Sequence, residues 1–474
     1  MYSFLLSFAV LIIGYLVYGA YIERIMKPDP NVKTVAITKA DGVDYVPLPT
    51  WKIFMIQFLN IAGLGPIFGA IMGAKFGVAS YIWIVLGTIF AGAMHDYIAG
   101  MISLRNGGES LPDSVTRYLG NGTGQVMRLF IVLLLILVGV VFVAGPSGLL
   151  ASLTSGINPL FNVNFWIILV FLYYIVATLM PIDKIIGRVY PLFSIALLFM
   201  AAGIFVMLFF KGQSLPEFTD PMIEHPAGLP IFPMMFISIA CGAISGFHAS
   251  QSPMMARCMT NEKHGRPIFY GAMVAEGIVA LIWAAAATVF FHENGYGESN
   301  AAVVVNTITK DWLGTAGAVL AMLGVVFAPI TSGDTALRSA RLIVADVLKF
   351  EQKSMMRRLM ISVPIFCVTI AILIYSMADT EGFNVIWRYF AWANQMLAVF
   401  TLWMITVYLA GKRQNFYIAL IPALFMTAVT VCYIVTAKEA FGQPMMVGYI
   451  VAGAAVVVSL AKFIMWNRSM LKQK

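Results

Sequence analysis

The chain has 474 residues, of which 60% are hydrophobic and 11% charged, whereas a soluble domain carries about 25% charged residues. No water-soluble fold of this length hides that much apolar surface, and the apolar runs are too long and unbroken for the alternating strands of a membrane barrel. The net charge of +8 is absorbed by membrane topology, as the loop count below shows, so no nucleic-acid partner is expected.

A spanning helix needs roughly 20 apolar residues, and helices satisfy their own backbone inside lipid. The expected fold is therefore an all-α polytopic membrane protein of about 13 spans. They lie near 2–22, 51–73, 78–104, 125–152, 163–180, 188–210, 230–256, 267–291, 313–345, 355–376, 385–410, 415–436 and 444–466. The first run has no basic residue before it, and Arg24 and Lys27 follow it. That pattern predicts an uncleaved span with its N-terminus outside. Segments after odd-numbered spans hold 25 of the 30 Lys and Arg residues. The positive-inside rule then puts the C-terminus in the cytoplasm. The four cysteines form no CxxC pair and predict neither disulfide nor zinc site. The whole chain, 1–474, reads as one transporter-like membrane domain with no soluble unit.

Two spans are interrupted by glycine and proline. The second carries Gln57, Asn60, Gly63, Gly65, Pro66 and Gly69. The seventh carries Cys241, Gly242, Ser245, Gly246, His248, Ser250, Gln251, Ser252 and Pro253. Proline removes a donor and crowds the preceding turn, so both stretches unwind easily. They lie five spans apart, which divides the chain into an N-terminal span and loop at 1–50, a first five-helix repeat at 51–210, a second, inverted repeat at 230–410, and two further spans at 411–474. Paired interruptions of this kind mark transporter binding sites, because a broken helix offers free N–H groups to an anion and free carbonyls to a cation. The competing reading is that glycine and proline are common in membrane helices and that small residues serve close packing.

The candidate substrate-binding residues are Gln57, Asn60, Gly63, Gly65, Ser245, Gly246, His248 and Gln251. His248 is attractive because an ordinary imidazole can gain or lose a proton near neutral pH, and Ser245, His248 and Ser252 would share one face of a regular helix. Gln57 and Asn60 offer amides to a carboxylate or to a neighbouring helix. Glu276, inside the eighth span, is a candidate proton carrier. Asp334 is a second ion-coupling candidate, although its spacing to Arg338 also suits a structural ion pair. Ala328, Thr331 and Ser332 are similar to the carbonyl-plus-hydroxyl arrangement that offers a sodium site in LeuT-like five-plus-five inverted-repeat transporters. Thr331 and Ser332 could equally bond back to their own helix. His95 and Asp96 are expected at the cytoplasmic end of the third span. Trp387, Tyr389 and Trp392 read as an interfacial aromatic belt, with Asn394 and Gln395 deeper. Lys184 and Arg188 read as cytoplasmic anchors.

With these segments in view, the chain resembles the carbon starvation protein A family. The matching stretches are 57–69, Gly87 to Tyr97 (GTIFAGAMHDY), Arg257 to Gly265 (RCMTNEKHG), Phe327 to Asp346 (FAPITSGDTALRSARLIVAD) and Arg388 to Leu397 (RYFAWANQML). The resemblance implies a bacterial inner-membrane protein linked to peptide uptake in starvation and to proton-coupled pyruvate uptake. It also implies the amino acid/polyamine/organocation superfamily and its inverted-repeat fold. The chain is shorter than the best-known members. No Walker motif and no HExxH occur, so an enzyme or an ATP-driven pump is not expected. The expectation is a symporter for pyruvate or short peptides, with no cofactor beyond a coupling proton or sodium ion and with its oligomeric state open. The rivals are a channel, a haem-binding redox protein and a sensor without flux.

Overall fold

The computed structural model describes residues 1–41, 45–154, 156–179, 186–212, 215–220, 225–297, 300–350, 354–378 and 382–472, without the side chains of 186–190, 322, 328, 331, 334, 346 and 471. All regular structure among the described residues is helical. Among the described residues nine helices are long and apolar enough to cross a membrane, and a tenth arises if Thr50–Ile61 and Gly65–Ala74, bent by 48°, form one broken span. The other three expected spans fall short of that length and hydropathy for physical reasons. Val163–Leu179 is a short apolar helix of 17 residues. The seventh segment is split between Phe236–Ser238 and Gly246–Ala256. The ninth is shortened by a kink at Gly314, whose φ of 61° belongs to the left-handed region, and its remainder carries polar residues along Ala328–Val347.

Burial sorts the helices into layers. The Glu262–Asn294 segment is 89% buried in its most apolar stretch, whereas Met445–Met470 is 17% buried. The first is a central post and the second faces outward. The post is built for close approach, because Ala284, Ala285, Ala286 and Ala287 are all fully buried on it and small residues let membrane helices touch. Around it sit the two interrupted spans and the Val78–Arg105 helix, which contains a widened turn at Gly87–Gly92. Tyr270 donates its hydroxyl to the Ile89 carbonyl in that turn at 3.0 Å. That bond ties the widened turn to the central post.

The Arg105 end of that helix is fastened to two segments. Its guanidinium donates to Glu262 Oε1 at 3.1 Å and Oε2 at 2.8 Å, and to the Met26 carbonyl at 2.8 Å. Glu262 also accepts from Asp29 N at 3.0 Å. A two-pronged arginine contact of this kind sets orientation as well as energy. A second fastening joins the Gly382–Gly411 helix to the loop after Tyr417–Thr436. Glu439 Oε1 accepts from Arg388 Nε at 2.6 Å and from the Tyr433 hydroxyl at 2.7 Å, and Tyr389 donates to the Glu439 carbonyl. Burial would raise the Glu439 carboxyl, but the Tyr433 hydroxyl and the Arg388 guanidinium outweigh it and hold it below the usual carboxylate range. A depressed folded pKa stabilises the protein above the unfolded value of about 4.3 and loses that stabilisation as the pH falls through the folded value. Wild type should therefore melt above Glu439→Gln at neutral pH, and the gap should close on acidification. Melting curves across pH check this; a gap that persists to roughly pH 2 would show that the carboxylate is not the source.

Candidate transport site

The two interruptions pack against each other. The chain leaves helix at Ala62 and resumes at Gly65. On the other side it leaves helix after Ser238, and Ser245 is extended (φ −143°, ψ 124°) before the Gly246–Ala256 helix begins. A Cβ at Gly65 would fall inside the van der Waals envelope of Cys241 Cβ and Sγ, with Cys241 Cα at 3.8 Å. A Cβ at Gly69 would stand 2.8 Å from the Ser238 carbonyl. Glycine is needed at 69 because the Ser238 backbone carbonyl lies against it, and at 65 because the Cys241 side chain does.

Freed backbone groups at the second interruption are taken up by side chains from two helices, Val78–Arg105 and Gly382–Gly411. Trp83 Nε1 donates to the Ile239 carbonyl at 3.1 Å and Thr88 Oγ1 to the Gly242 carbonyl at 3.1 Å. Asn394 Oδ1 accepts from Phe247 N at 2.8 Å and from Ser245 Oγ at 3.0 Å, while its amide nitrogen donates to Cys241 Sγ at 3.2 Å. Gln395 Nε2 donates to the Phe236 carbonyl at 3.2 Å. An N–H at the start of the Gly246–Ala256 helix is thus already satisfied by the protein. Its N-terminus is less available to a ligand than the sequence suggested. Ser245, being extended, also leaves the helical face it was expected to share with His248 and Ser252.

Below this clamp lies a chain of four ionisable side chains, all fully buried. Asp96 sits between two histidines: Oδ1 is 2.8 Å from His95 Nδ1 and Oδ2 is 2.9 Å from His248 Nδ1. A carboxylate accepts from both, so the Nδ1–H tautomer or the imidazolium is favoured at each ring. His248 Nε2 then lies 3.3 Å from Glu276 Oε2, at ion-pair distance but without hydrogen-bond alignment. The order His95–Asp96–His248–Glu276 links the Val78–Arg105 helix, the second interruption and the central post. Buried charge in a membrane protein survives only when paired or neutralised. Here a proton can reside on Glu276 or on His248 while Asp96 holds the ring in place.

His95 and Asp96 were expected at a helix end near the cytoplasm. They lie instead about 14 Å before Arg105 along the same helix, at 1.5 Å per residue, with no exposed surface. The sequence shows that they are adjacent, but not that the second interruption crosses them. Of the other candidates, Gln57 is fully buried with neither amide atom hydrogen-bonded among the described residues, and Asn60 is 6% exposed. Gly63 packs near Phe142, 3.5 Å from a Cβ built there. Gln251 donates to Ser250 Oγ at 3.1 Å.

The ion-coupling candidates of the ninth segment are only partly visible. Ala328, Thr331 and Asp334 are on the Ala328–Val347 helix, but their side chains lie outside the described residues, as does the whole of Lys184. Ser332 is buried. Arg338, the expected partner of Asp334, donates to the Ala177 carbonyl. The aromatic residues are packing elements more than a belt. Trp387 is 2% exposed and lies 5.5 Å from the Phe68 ring centre, and Trp392 donates to the Thr430 carbonyl at 3.0 Å. Asn394, the residue that holds the second interruption, was legible only as a deep amide. Among the described residues no group of three or more His, Cys, Asp or Glu side chains could hold a metal ion.

A family model described as carbon starvation protein CstA matches residues 1–161, 154–327 and 301–433. An uncharacterised membrane protein of Haemophilus influenzae is 42% identical over 336 residues, covering 61% of this chain and 91% of that protein. The pyruvate/proton symporter BtsT of Escherichia coli is 29% identical over 349 residues, covering 60% of this chain and 48% of that protein, so the match spans about half its length. The peptide transporter CstA of Bacillus subtilis is 26% identical, covering 90% of this chain and 88% of that protein. Among solved structures, MhsT in complex with L-phenylalanine aligns with a TM-score of 0.58 at 13% identity, over 88% of this chain and 98% of that one. The Eremococcus coleocola manganese transporter aligns with a TM-score of 0.56 at 11% identity, over 92% and 99%. At these identities the structural likeness shows the fold alone, which is that of LeuT-like transporters.

Proposed function

Since the chain belongs to the carbon starvation protein CstA family, we propose that it is a proton-coupled symporter importing a small carboxylate, pyruvate in the first instance, across the bacterial inner membrane. The observation that carries the reading is the fully buried His95–Asp96–His248–Glu276 chain abutting a broken helix. A proton on the His248–Glu276 pair offsets the charge of a bound carboxylate when both are closed off from water, so the loaded site moves with little net buried charge. Gln57 and Asn60, with the N-terminus of Gly65–Ala74, supply amide and backbone donors for the carboxylate. The close fit of the two interruptions favours a compact substrate over a peptide, which needs room and partners for both termini. The thirteen-span count, the inverted 51–210 and 230–410 repeats, and an outside N-terminus with a cytoplasmic C-terminus complete this reading.

Uptake of labelled pyruvate into proteoliposomes, with proton and sodium gradients imposed separately, tests it. Saturable accumulation driven by an inward proton gradient is expected. Accumulation driven by sodium alone would overturn the relay and shift attention to Ala328, Thr331 and Ser332. Flux that neither saturates nor follows a gradient would make the protein a channel. Uptake of labelled dipeptide but not pyruvate would move the substrate to short peptides.

A further inference from the structure

The Ala328–Val347 helix carries a second polar feature that the carboxylate chain does not use. Arg341 is 6% exposed, and its Nε and Nη1 have no hydrogen-bond partner among the described residues. It stands one turn after Leu337, which packs so tightly on Gly139 that a Cβ there would be 2.7 Å from Leu337 Cδ2. Its neighbours differ from it in one respect. Arg338 donates to the Ala177 carbonyl, and Arg358 Nη1 donates to the Leu179 carbonyl at 3.3 Å. Both guanidiniums are therefore seated on the C-terminal carbonyls of Val163–Leu179, where the helix dipole favours a cation. Arg341 has no carbonyl seat of this kind: its Nε and Nη1 are buried in the bundle without a partner among the described residues, and the positive charges of Arg338 and Arg358 bear on it.

A buried guanidinium without a partner is costly and marks an intramembrane site by default. Its chemistry selects an oxyanion, because it offers only donors and holds its charge at any physiological pH. Twelve residues of continuous helix separate Arg341 from Pro329, roughly 18 Å at 1.5 Å per residue. Pro329 lies at the level where the Tyr174 hydroxyl bridges the Phe142 and Pro329 carbonyls, at 2.9 and 3.4 Å. The arginine cluster is at the end of the helix that the basic-residue pattern places toward the cytoplasm. We propose that Arg341 forms a second carboxylate-binding site, on the cytoplasmic side of the interrupted helices, which receives the substrate anion as it leaves. The inference rests on the transport reading for the identity of the anion, and on the Arg341 geometry for the site itself.

The test uses purified full-length protein in lipid nanodiscs, with unfolding temperature followed as pyruvate, acetate or inorganic phosphate is added. Pyruvate and acetate should stabilise wild type, since a ligand that binds only the folded state raises its melting point. Arg341→Gln should melt no lower than wild type without ligand, because an unpaired buried charge has been removed, and should lose at least about half of the carboxylate response. Arg341→Lys keeps the charge on a different head group, and should weaken the apparent pyruvate affinity about tenfold. A full carboxylate response in both variants would overturn the site. So would stabilisation by phosphate alone, or no carboxylate response in wild type. An Arg341-dependent response in a protein that moves no pyruvate would instead retain the site and remove the transport reading. In sealed vesicles of opposite orientation, Arg341→Gln should raise KM at the cytoplasmic face about tenfold and leave the outer face within about twofold. An equal rise at both faces would refute the assignment to the exit side.

Discussion

Glu276→Gln should leave exchange of labelled substrate across the membrane measurable while cutting proton-driven accumulation by about tenfold or more, in the range expected when one proton-transfer group is removed. The carboxyl is fully buried, neither oxygen is hydrogen-bonded, and Oε2 lies 3.3 Å from His248 Nε2. Nothing in that geometry makes it a structural tether, so the amide should fit in its place. What is lost is the ability to take up and release a proton beside His248. Asp96→Asn should behave differently. Asp96 accepts from both His95 and His248, and an amide offers only one acceptor to two ring N–H groups. The variant should lose exchange as well as accumulation, and should be less stable by about 1–3 kcal/mol, the cost of an unmet buried donor. Counterflow and gradient-driven uptake, measured in the same proteoliposomes, separate the two effects. Normal accumulation by Glu276→Gln would remove the relay.

Gly65→Leu should abolish transport while the protein still inserts in the membrane. Even a single methyl at this position collides with Cys241 Cβ and Sγ, and the nearest backbone atom, Cys241 Cα, is 3.8 Å away. The strain of such overpacking is about 1–3 kcal/mol, and it falls between the two segments that the proposed transport cycle would have to separate and close. Because the obstacle is one side chain and not backbone, it can be removed. Gly65→Ala combined with Cys241→Gly should recover much of the uptake that Gly65→Ala alone loses. Gly246 offers the contrasting case. A Cβ there meets the backbone of Asn394 and Ala398 in the Gly382–Gly411 helix, so no side-chain deletion should rescue Gly246→Ala. Uptake and membrane abundance of these variants check both statements. Rescue of Gly246→Ala, or failure of the Gly65–Cys241 pair, would show that the interruptions are not in contact as described.

The places where the chain leaves helix were legible because proline and clustered glycine act locally. Gly65 and Pro66 at the first break, and Gly242, Ser245 and Gly246 at the second, weaken a helix wherever it sits. The membrane class was legible for a similar reason, since the transfer of each apolar run into lipid depends on that run alone. The span count was less so. The Val163–Leu179 and Ala328–Val347 helices depend on neighbours to cover a short length or a polar face, and hydropathy does not record neighbours.

The candidate site divides along the same line. His248, Glu276 and Gln57 stood out one by one, as polar residues in apolar surroundings. Their arrangement did not. His95–Asp96 looked like a helix end because the pair precedes a basic loop, yet the Gly246–Ala256 helix crosses it 152 residues later in the chain and places His248 Nδ1 on Asp96. Asn394 became the clamp of the second break in the same way, 147 residues from Phe247. Composition and local chemistry determined that this chain enters a membrane, where its helices fail, and which side chains are costly to bury. Only the tertiary structure decided which of those costly groups meet, because a buried chain of ionisable side chains is a set of distances of about 3 Å between residues that the sequence holds far apart.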